Sequence, residues 1–299
     1  MGIVGRGKQT YIIAEGGIGH CGDVGLGKRI IDQVKAAGAD AVKFQFYVTD
    51  SFLPKVSKLY DVYSKCELSV TEMEQLRRYA DDKHLGFGLS VFSPELYRPA
   101  MDMDLTFHKV ASSEIWFDRL FSEYLEKLES YHTVFYSLGM VPDEMTAAKI
   151  IQRFNDLPAF TYPFYCVSLY PPNPPEMYMQ NIRYLHKLCQ VGDIGYSDHG
   201  QGAESWPAVL AIGYGVDVIE KHVLLDRVLG LSLPMPDEPV SANLFDPVTG
   251  GSPFAEYVKR VRQASQAAKK IDTWTKATTE TKIRHMVYRS QASDWKRMV

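Results

Sequence analysis

The residues best suited to chemistry are two lysines set in apolar runs. In residues 39–47, ADAVKFQFY, Val42, Phe44 and Phe46 alternate as one apolar face, so Lys43 and Gln45 fall together on the other. A lysine in a buried run is costly unless it is paired or meets a ligand. Lys109 stands in a comparable setting in TFHKVASSE. With the hydroxyls of Ser90, Ser112 and Ser137, the two lysines suit a small dianion such as a phosphate ester. The ammonium groups act as point charges, and the hydroxyls supply the remaining hydrogen bonds. The alternative is that each lysine makes a structural ion pair with Glu15 or Glu114. His222, with carboxylates nearby, is a candidate ligand for a divalent metal, although a lone histidine is more often structural. Asp198-His199 reads as a base beside an orienting carboxylate. Adjacent strand residues point apart, so one of the two faces the site and the other supports it. Cys166 reads as a small buried hydrophobe, because no histidine is aimed at it.

Positioning these residues requires a repeating framework, and the chain supplies one. Strand-like runs at 11–17, 39–47, 86–93, 106–114, 133–140, 164–171, 193–199 and 216–226 are each followed by a helical run. Asp143 is placed to cap the helix DEMTAAKIIQRF. Such alternation demands a parallel sheet, and eight units over about 270 residues favour a closed (β/α)8 TIM barrel. The first βα turn lacks GxGxxG, which counts against a doubly wound dinucleotide fold. Barrel enzymes build their sites at the carboxyl ends of the strands. Those ends read Glu15; Lys43 and Gln45; Ser90; Lys109, Ser112 and Glu114; Ser137; Ser168 and Tyr170; Asp198 and His199; Glu220 and His222. Together they describe one polar pocket of mixed charge.

Composition narrows the class. Of 299 residues, 45% are hydrophobic and 23% charged, with a net charge of -3. That balance gives no reason to expect nucleic acid or an anionic membrane surface as partner. The opening MGIVGRGKQTYIIAEGG lacks a signal peptide's apolar core, and no run approaches the ~20 apolar residues of a membrane span. Four cysteines without CxxC spacing indicate neither a zinc knuckle nor a disulfide framework, so a reducing cytoplasm is the expected location.

Seven stretches, AEGGIGHCGD, AGADAVKFQ, KVASSE, SLGM, CVSLYPPNPPE, GYSDH and IEKHVLLDR, occur in an order and at spacings that resemble the sialic acid synthase (NeuB-type) family. The resemblance covers about residues 11–270. It implies a barrel that condenses phosphoenolpyruvate with an amino-sugar aldehyde, giving a 2-keto sugar acid and phosphate. It further implies that Lys43, Ser90, Lys109, Ser112, Ser137 and Ser168 hold phosphoenolpyruvate, while Glu15, Gln45 and Tyr170 contact the sugar or order water. Glu114, Asp198, His199 and Glu220 complete the expected substrate-binding set, with Glu15, Lys43, Lys109 and His222 as the catalytic residues. His222 matches one of the family's two metal-binding histidines, so Mn²⁺ or Mg²⁺ is the expected cofactor.

Three departures from the pattern are visible. The family's second metal histidine is expected in a GPDH-type segment, where this chain reads LGLSLPMPDEP and places Glu238, itself a legitimate ligand for a hard cation. Gly19 replaces an asparagine and Leu138 a threonine, both beside the expected sugar site. The family's small antifreeze-like carboxy-terminal domain is expected to be missing. The expected organisation is a catalytic barrel over residues 1–271 and a polar tail over 272–299, working as a homodimer or with a separate subunit. Two rival readings stay open. One is an aldolase or lyase using Lys43 or Lys109 as a Schiff base. The other is an inactive or partner-dependent barrel that only binds a phosphorylated ligand.

Overall fold

The computed structural model describes residues 9–189, 193–225 and 238–268. Eight parallel strands follow one another around a ring: β1 Tyr11–Gly17, β2 Ala41–Phe46, β3 Gly86–Val91, β4 Phe107–Val110, β5 Thr133–Ser137, β6 Phe160–Tyr165, β7 Gly195–Asp198 and β8 Val218–Leu224. β1 pairs with both β2 and β8, Tyr11 opposite Val218 and Glu15 opposite His222, so the sheet closes. This is the expected (β/α)8 barrel. Between the strands run α1 Val24–Ala36, α2 Thr49–Phe52, α3 Tyr60–Cys66, α4 Val70–Asp82, α5 Tyr97–Asp102, α6 Asp118–Glu123, α7 Glu144–Asn155, α8 Asn181–Cys189 and α9 Trp206–Gly213, with α10 Pro253–Ala267 after β8. A two-residue strand, β9 Ala242–Asn243, pairs with the end of β8; it is too short to leave a period in the sequence.

Local chemistry starts these helices where the sequence signals do. Asp143 Oδ1 accepts from Thr146 N at 2.8 Å, and Ser69 and Glu72 form a reciprocal capping box at α4. Gly38, which ends the first helical run, has φ +82°, a conformation that glycine adopts without strain.

The strand period of two sorts the side chains. Val42, Phe44, Leu89, Val134 and Ile219 join the large core between barrel and helices. Inside the barrel a smaller cluster of Ile13, Ala41, Phe107, Phe135, Phe164 and Val218 forms a floor. The rings of Phe107 and Phe164 lie 5.0 and 5.1 Å from that of Phe135. They fit because two facing strands carry no side chain. A Cβ at Gly88 would stand 2.1 Å from the Phe107 ring, and one at Gly195 would stand 2.3 Å from Phe164.

The ladders stop earlier than the apolar runs suggest. β4 ends at Val110, β5 at Ser137 and β6 at Tyr165, so Ser112, Glu114, Ser168 and Tyr170 lie on loops beyond the strands. The sixth strand is Phe160–Tyr165 instead of 164–171; Pro163 within it makes the segment read as non-strand. Among the described residues no helix is long and apolar enough to cross a membrane. The expected tail, residues 272–299, lies outside the described residues.

Candidate active site

Above the aromatic floor the inward positions turn polar and line a cavity of about 190 Å³ at the carboxyl ends of the strands. Lys43 from β2 forms an ion pair with Glu15 from β1, donates to Ser90 Oγ from β3 at 2.7 Å, and lies 3.7 Å from Glu220 Oε2. Lys109 from β4 donates to Ser137 Oγ from β5 at 2.5 Å and lies 3.9 Å from Glu220 Oε1. Both lysines are almost wholly buried. Lys43 thus realises the ion-pair alternative, with Glu15 and with Glu220, which replaces Glu114 as the second carboxylate.

A third group of donors gathers around Gly139. Its N–H donates to Ser112 Oγ at 3.0 Å, and Ser112 Oγ lies 3.3 Å from Cys166 Sγ. A Cβ at this position would stand 2.5 Å from Ser168 Oγ, 2.6 Å from Cys166 Sγ and 2.9 Å from Ser112 Oγ. The absence of a side chain lets two hydroxyls and a thiol converge. Burial raises the Cys166 thiol, so it stays protonated and unreactive.

The charges sort themselves by distance. Burial pulls Lys43 down, but Glu15 and Glu220 outweigh it and hold the ammonium above its ordinary value. Lys109, farther from a carboxylate, is left lowered by burial. Burial raises Glu15, with Lys43 only partly opposing, whereas in Glu220 the same burial is overcome by Lys109 and Lys43 and the carboxyl falls below its usual range. Glu15 Oε1, Gln45 Oε1 and Glu220 Oε2 are buried with no hydrogen-bond partner. A polar ligand entering the cavity would satisfy them.

The histidines meet at one edge. His199 and His222 have ring centroids 5.4 Å apart, and Tyr170 stacks on His199 at 4.3 Å. His199 Nδ1 is 2.7 Å from the Val167 carbonyl, which fixes the proton on Nδ1, and Nε2 lies 3.2 Å from Ser197 Oγ, whose own proton goes to Glu220. Burial, with His222 beside it, pushes His199 down to about 3, so the ring is neutral.

Of the expected site residues, Glu15, Lys43, Gln45, Ser90, Lys109, Ser112, Ser137, Ser168, Tyr170, His199, Glu220 and His222 all line this cavity. Two do not. Asp198 lies on the outer face of β7, where its carboxylate accepts from Tyr257 on α10 at 2.7 Å; the strand period that turns His199 inward turns Asp198 outward. Glu114 follows a turn in which its N–H donates to Ala111 O, and its carboxylate accepts at 2.9 Å from the hydroxyl of Ser113, which lines the cavity where Glu114 does not. The backbone of Glu238 begins a short 3-10 turn, while its side chain and residues 226–237 lie outside the described residues. Among the described residues no three histidine, cysteine or carboxylate side chains are grouped so as to hold a metal ion, and His199 and His222 are neighbouring rings only. Sequence reasoning missed Ser197, whose hydroxyl donates to Glu220 Oε1 at 2.7 Å and whose inward parity with His199 was the available signal. It also missed Phe52 on α2 and Tyr63 on α3, two short helices, and Phe92 and Met140 on loops, all of which line the cavity.

Residues 30–272 match the NeuB family. The chain belongs to that family. It is 33% identical over 266 residues to an uncharacterized protein of Methanocaldococcus jannaschii, covering 87% of this chain and 72% of that protein. It is 29% identical over 257 residues to the N,N'-diacetyllegionaminic acid synthase of Legionella pneumophila, covering 79% and 69% of the two chains. The crystal structure of the N-acetylneuraminic acid synthetase of Leptospira borgpetersenii superposes with a TM-score of 0.80 at 24% identity, over 96% of this NeuB-family chain and 95% of that one, a likeness of fold.

Proposed function

We propose that this NeuB-family barrel is a phosphoenolpyruvate-dependent synthase that joins phosphoenolpyruvate to a sugar aldehyde, forming a 2-keto sugar acid and inorganic phosphate. The observation that carries the reading is the pair of buried lysines, each donating to a serine hydroxyl from the next strand and both opening on one cavity. Lys43 and Lys109 would offset the charge of the phosphoryl and carboxylate groups. Ser112 and Ser168, whose hydroxyls converge beside Gly139, would add hydrogen bonds to the same groups. Relatives whose names record the synthesis of legionaminic, pseudaminic and neuraminic acids support the reaction class.

The proposal includes a divalent cation at the histidine edge, held by His199 and His222. His199 presents a neutral ring with a fixed tautomer, His222 lies beside it, and Glu15 and Glu220 line the same cavity. When bound, such an ion would supply Lewis-acid polarisation of an aldehyde oxygen. The chain's own residues do the rest. Lys43 and Lys109 would fix phosphoenolpyruvate, and Gln45 and Tyr170 would meet the sugar aldehyde. Glu15, whose carboxyl is raised, is the group suited to take a proton from the water that adds at C2 before phosphate leaves.

The lowered Lys109 favours a second reading, an aldolase that forms a Schiff base there. Borohydride with pyruvate separates the two, since only the aldolase would be trapped covalently. The direct test measures phosphate release from phosphoenolpyruvate with Mn²⁺ across a panel of N-acylated amino-sugars and simpler aldoses. Release that depends on one aldehyde and disappears in Lys109→Ala and His222→Ala is the expected result. Calorimetric binding of phosphoenolpyruvate without release on any aldehyde would replace the synthase with a binding barrel.

A further inference from the structure

Behind the histidine edge, on the outer face of the barrel, lies a polar group that the reaction does not touch. Asp198 and Lys221 are fully buried there, under Tyr257 of α10. Tyr257 donates its hydroxyl to Asp198 Oδ2 at 2.7 Å. Asp198 Oδ1 accepts from Gly200 N at 2.8 Å and stands 3.8 Å from Lys221 Nζ. Lys221 donates to the carbonyl of Gly200 at 2.6 Å and to that of Asp198 at 3.3 Å, and its ammonium lies 5.7 Å from the Tyr257 ring centre.

A buried ion pair is a poor source of stability compared with apolar packing of the same volume, so its retention here calls for another reason. The placement supplies one. Asp198 precedes His199, and Lys221 precedes His222. Each inward histidine is thus the immediate neighbour of an outward brace residue, and side chains that alternate across one backbone cannot move independently. The brace grips the 198–200 segment at two carbonyls, one N–H and one carboxylate, and Tyr257 anchors that grip to a helix. Cutting the brace would free the backbone that aims both rings.

We propose that Tyr257, Asp198 and Lys221 are positioning residues that hold His199 and His222 in the pose that creates the histidine edge. The consequence for catalysis rests on the synthase reading, but the geometric claim does not. Its test uses the full-length chain with ¹⁵N-labelled imidazoles, assigned by the signals lost in His199→Gln and His222→Gln. Tyr257→Phe and Asp198→Asn cut the brace. Val261→Ala, which removes buried methyl groups from α10 and leaves the brace intact, controls for a loosened helix.

Wild type and Val261→Ala should show His199 as a single neutral tautomer with its proton on Nδ1. The two brace variants should show mixed tautomers or exchange broadening at His199 and His222, and Mn²⁺ affinity lower by about tenfold or more. Unchanged histidine spectra in Tyr257→Phe would overturn the proposal, even if Asp198→Asn fails to fold. Equal disturbance in Val261→Ala, or mixed His199 tautomers already present in wild type, would overturn it too. The spectra are recorded without metal or substrate. Failure of phosphate release therefore counts against the synthase, and failure of the spectra counts against the brace.

Discussion

Gly139 shows how much of the site depends on atoms that are absent. Its backbone is not in the left-handed region, so Gly139→Ala imposes no strain of that kind; the new methyl group meets the side chains of Ser112, Cys166 and Ser168. We expect phosphoenolpyruvate affinity to fall by about tenfold or more, the equivalent of one or two lost hydrogen bonds to a charged group. The melting temperature should move little. Calorimetry beside a thermal melt reads both, and wild-type affinity in the variant would remove the Gly139 cluster from the binding site. At this scale the sequence was informative wherever parity operates. Lys43 and Gln45 could be assigned inward from the alternation of Val42, Phe44 and Phe46, and the same rule would have found Ser197. It could not reveal that His199 and His222, 23 positions apart, share an edge, because that follows from strand pairing: Ser197 stands opposite Glu220. Nor could it settle the Asp198-His199 pair, where parity says that the two diverge but not which one turns in.

Among the elements, β3 and β7 are built around missing side chains that admit the Phe107 and Phe164 rings. Gly88→Ala forces a methyl group into Phe107, and overpacking of this kind costs about 1–3 kcal/mol. The variant should melt lower, and Phe107→Leu added to it should recover part of the loss. If Phe107→Leu deepens the loss by its full single-variant cost, the clash is not the cause. The eight units were legible because each pairs a period of two with a period near 3.6, and turn residues mark the joints. The strand ends were not. Apolar character continues through Ala111 and the 164–171 run after the hydrogen-bonded ladder has stopped, even though Leu169 and Tyr170 are exposed. Those loops carry Ser112, Ser168 and Tyr170, so the hydroxyl-bearing part of the cavity belongs to segments that follow neither period.

The molecule as a whole stores an acid-sensitive term far from the cavity's charges. Burial pushes His20 down to about 4 and His108 down to about 3, the latter assisted by His132, against about 6.5 when unfolded. Both folded values are depressed, so the unfolded chain takes up protons first. The stability they contribute is complete above about pH 6.5 and is lost as pH falls toward the folded values, at up to about 1.4 kcal/mol per pH unit for each ring. Urea midpoints should therefore drop between pH 7 and 4.5, and His108→Leu should show a shallower slope; a flat profile, or an unchanged slope in the variant, would sink this account. A last consequence comes from α10. Its Tyr257 holds Asp198, while Arg262 binds the carbonyls of Thr10 and Gly38 and pairs with Asp40 at 2.7 Å, and Ser265 accepts from Thr10. Arg262 is translated 222 positions after Asp40. At ribosomal speed that is a delay on the order of ten to forty seconds. β1 keeps an unpaired edge until β8, Val218–Leu224, is made, and the clasp of α10 on Thr10, Gly38 and Asp40 comes later still. The clasp that ties the segment before β1 and the turn into β2 to the closed barrel thus arrives on a helix that forms no part of the cavity's lining.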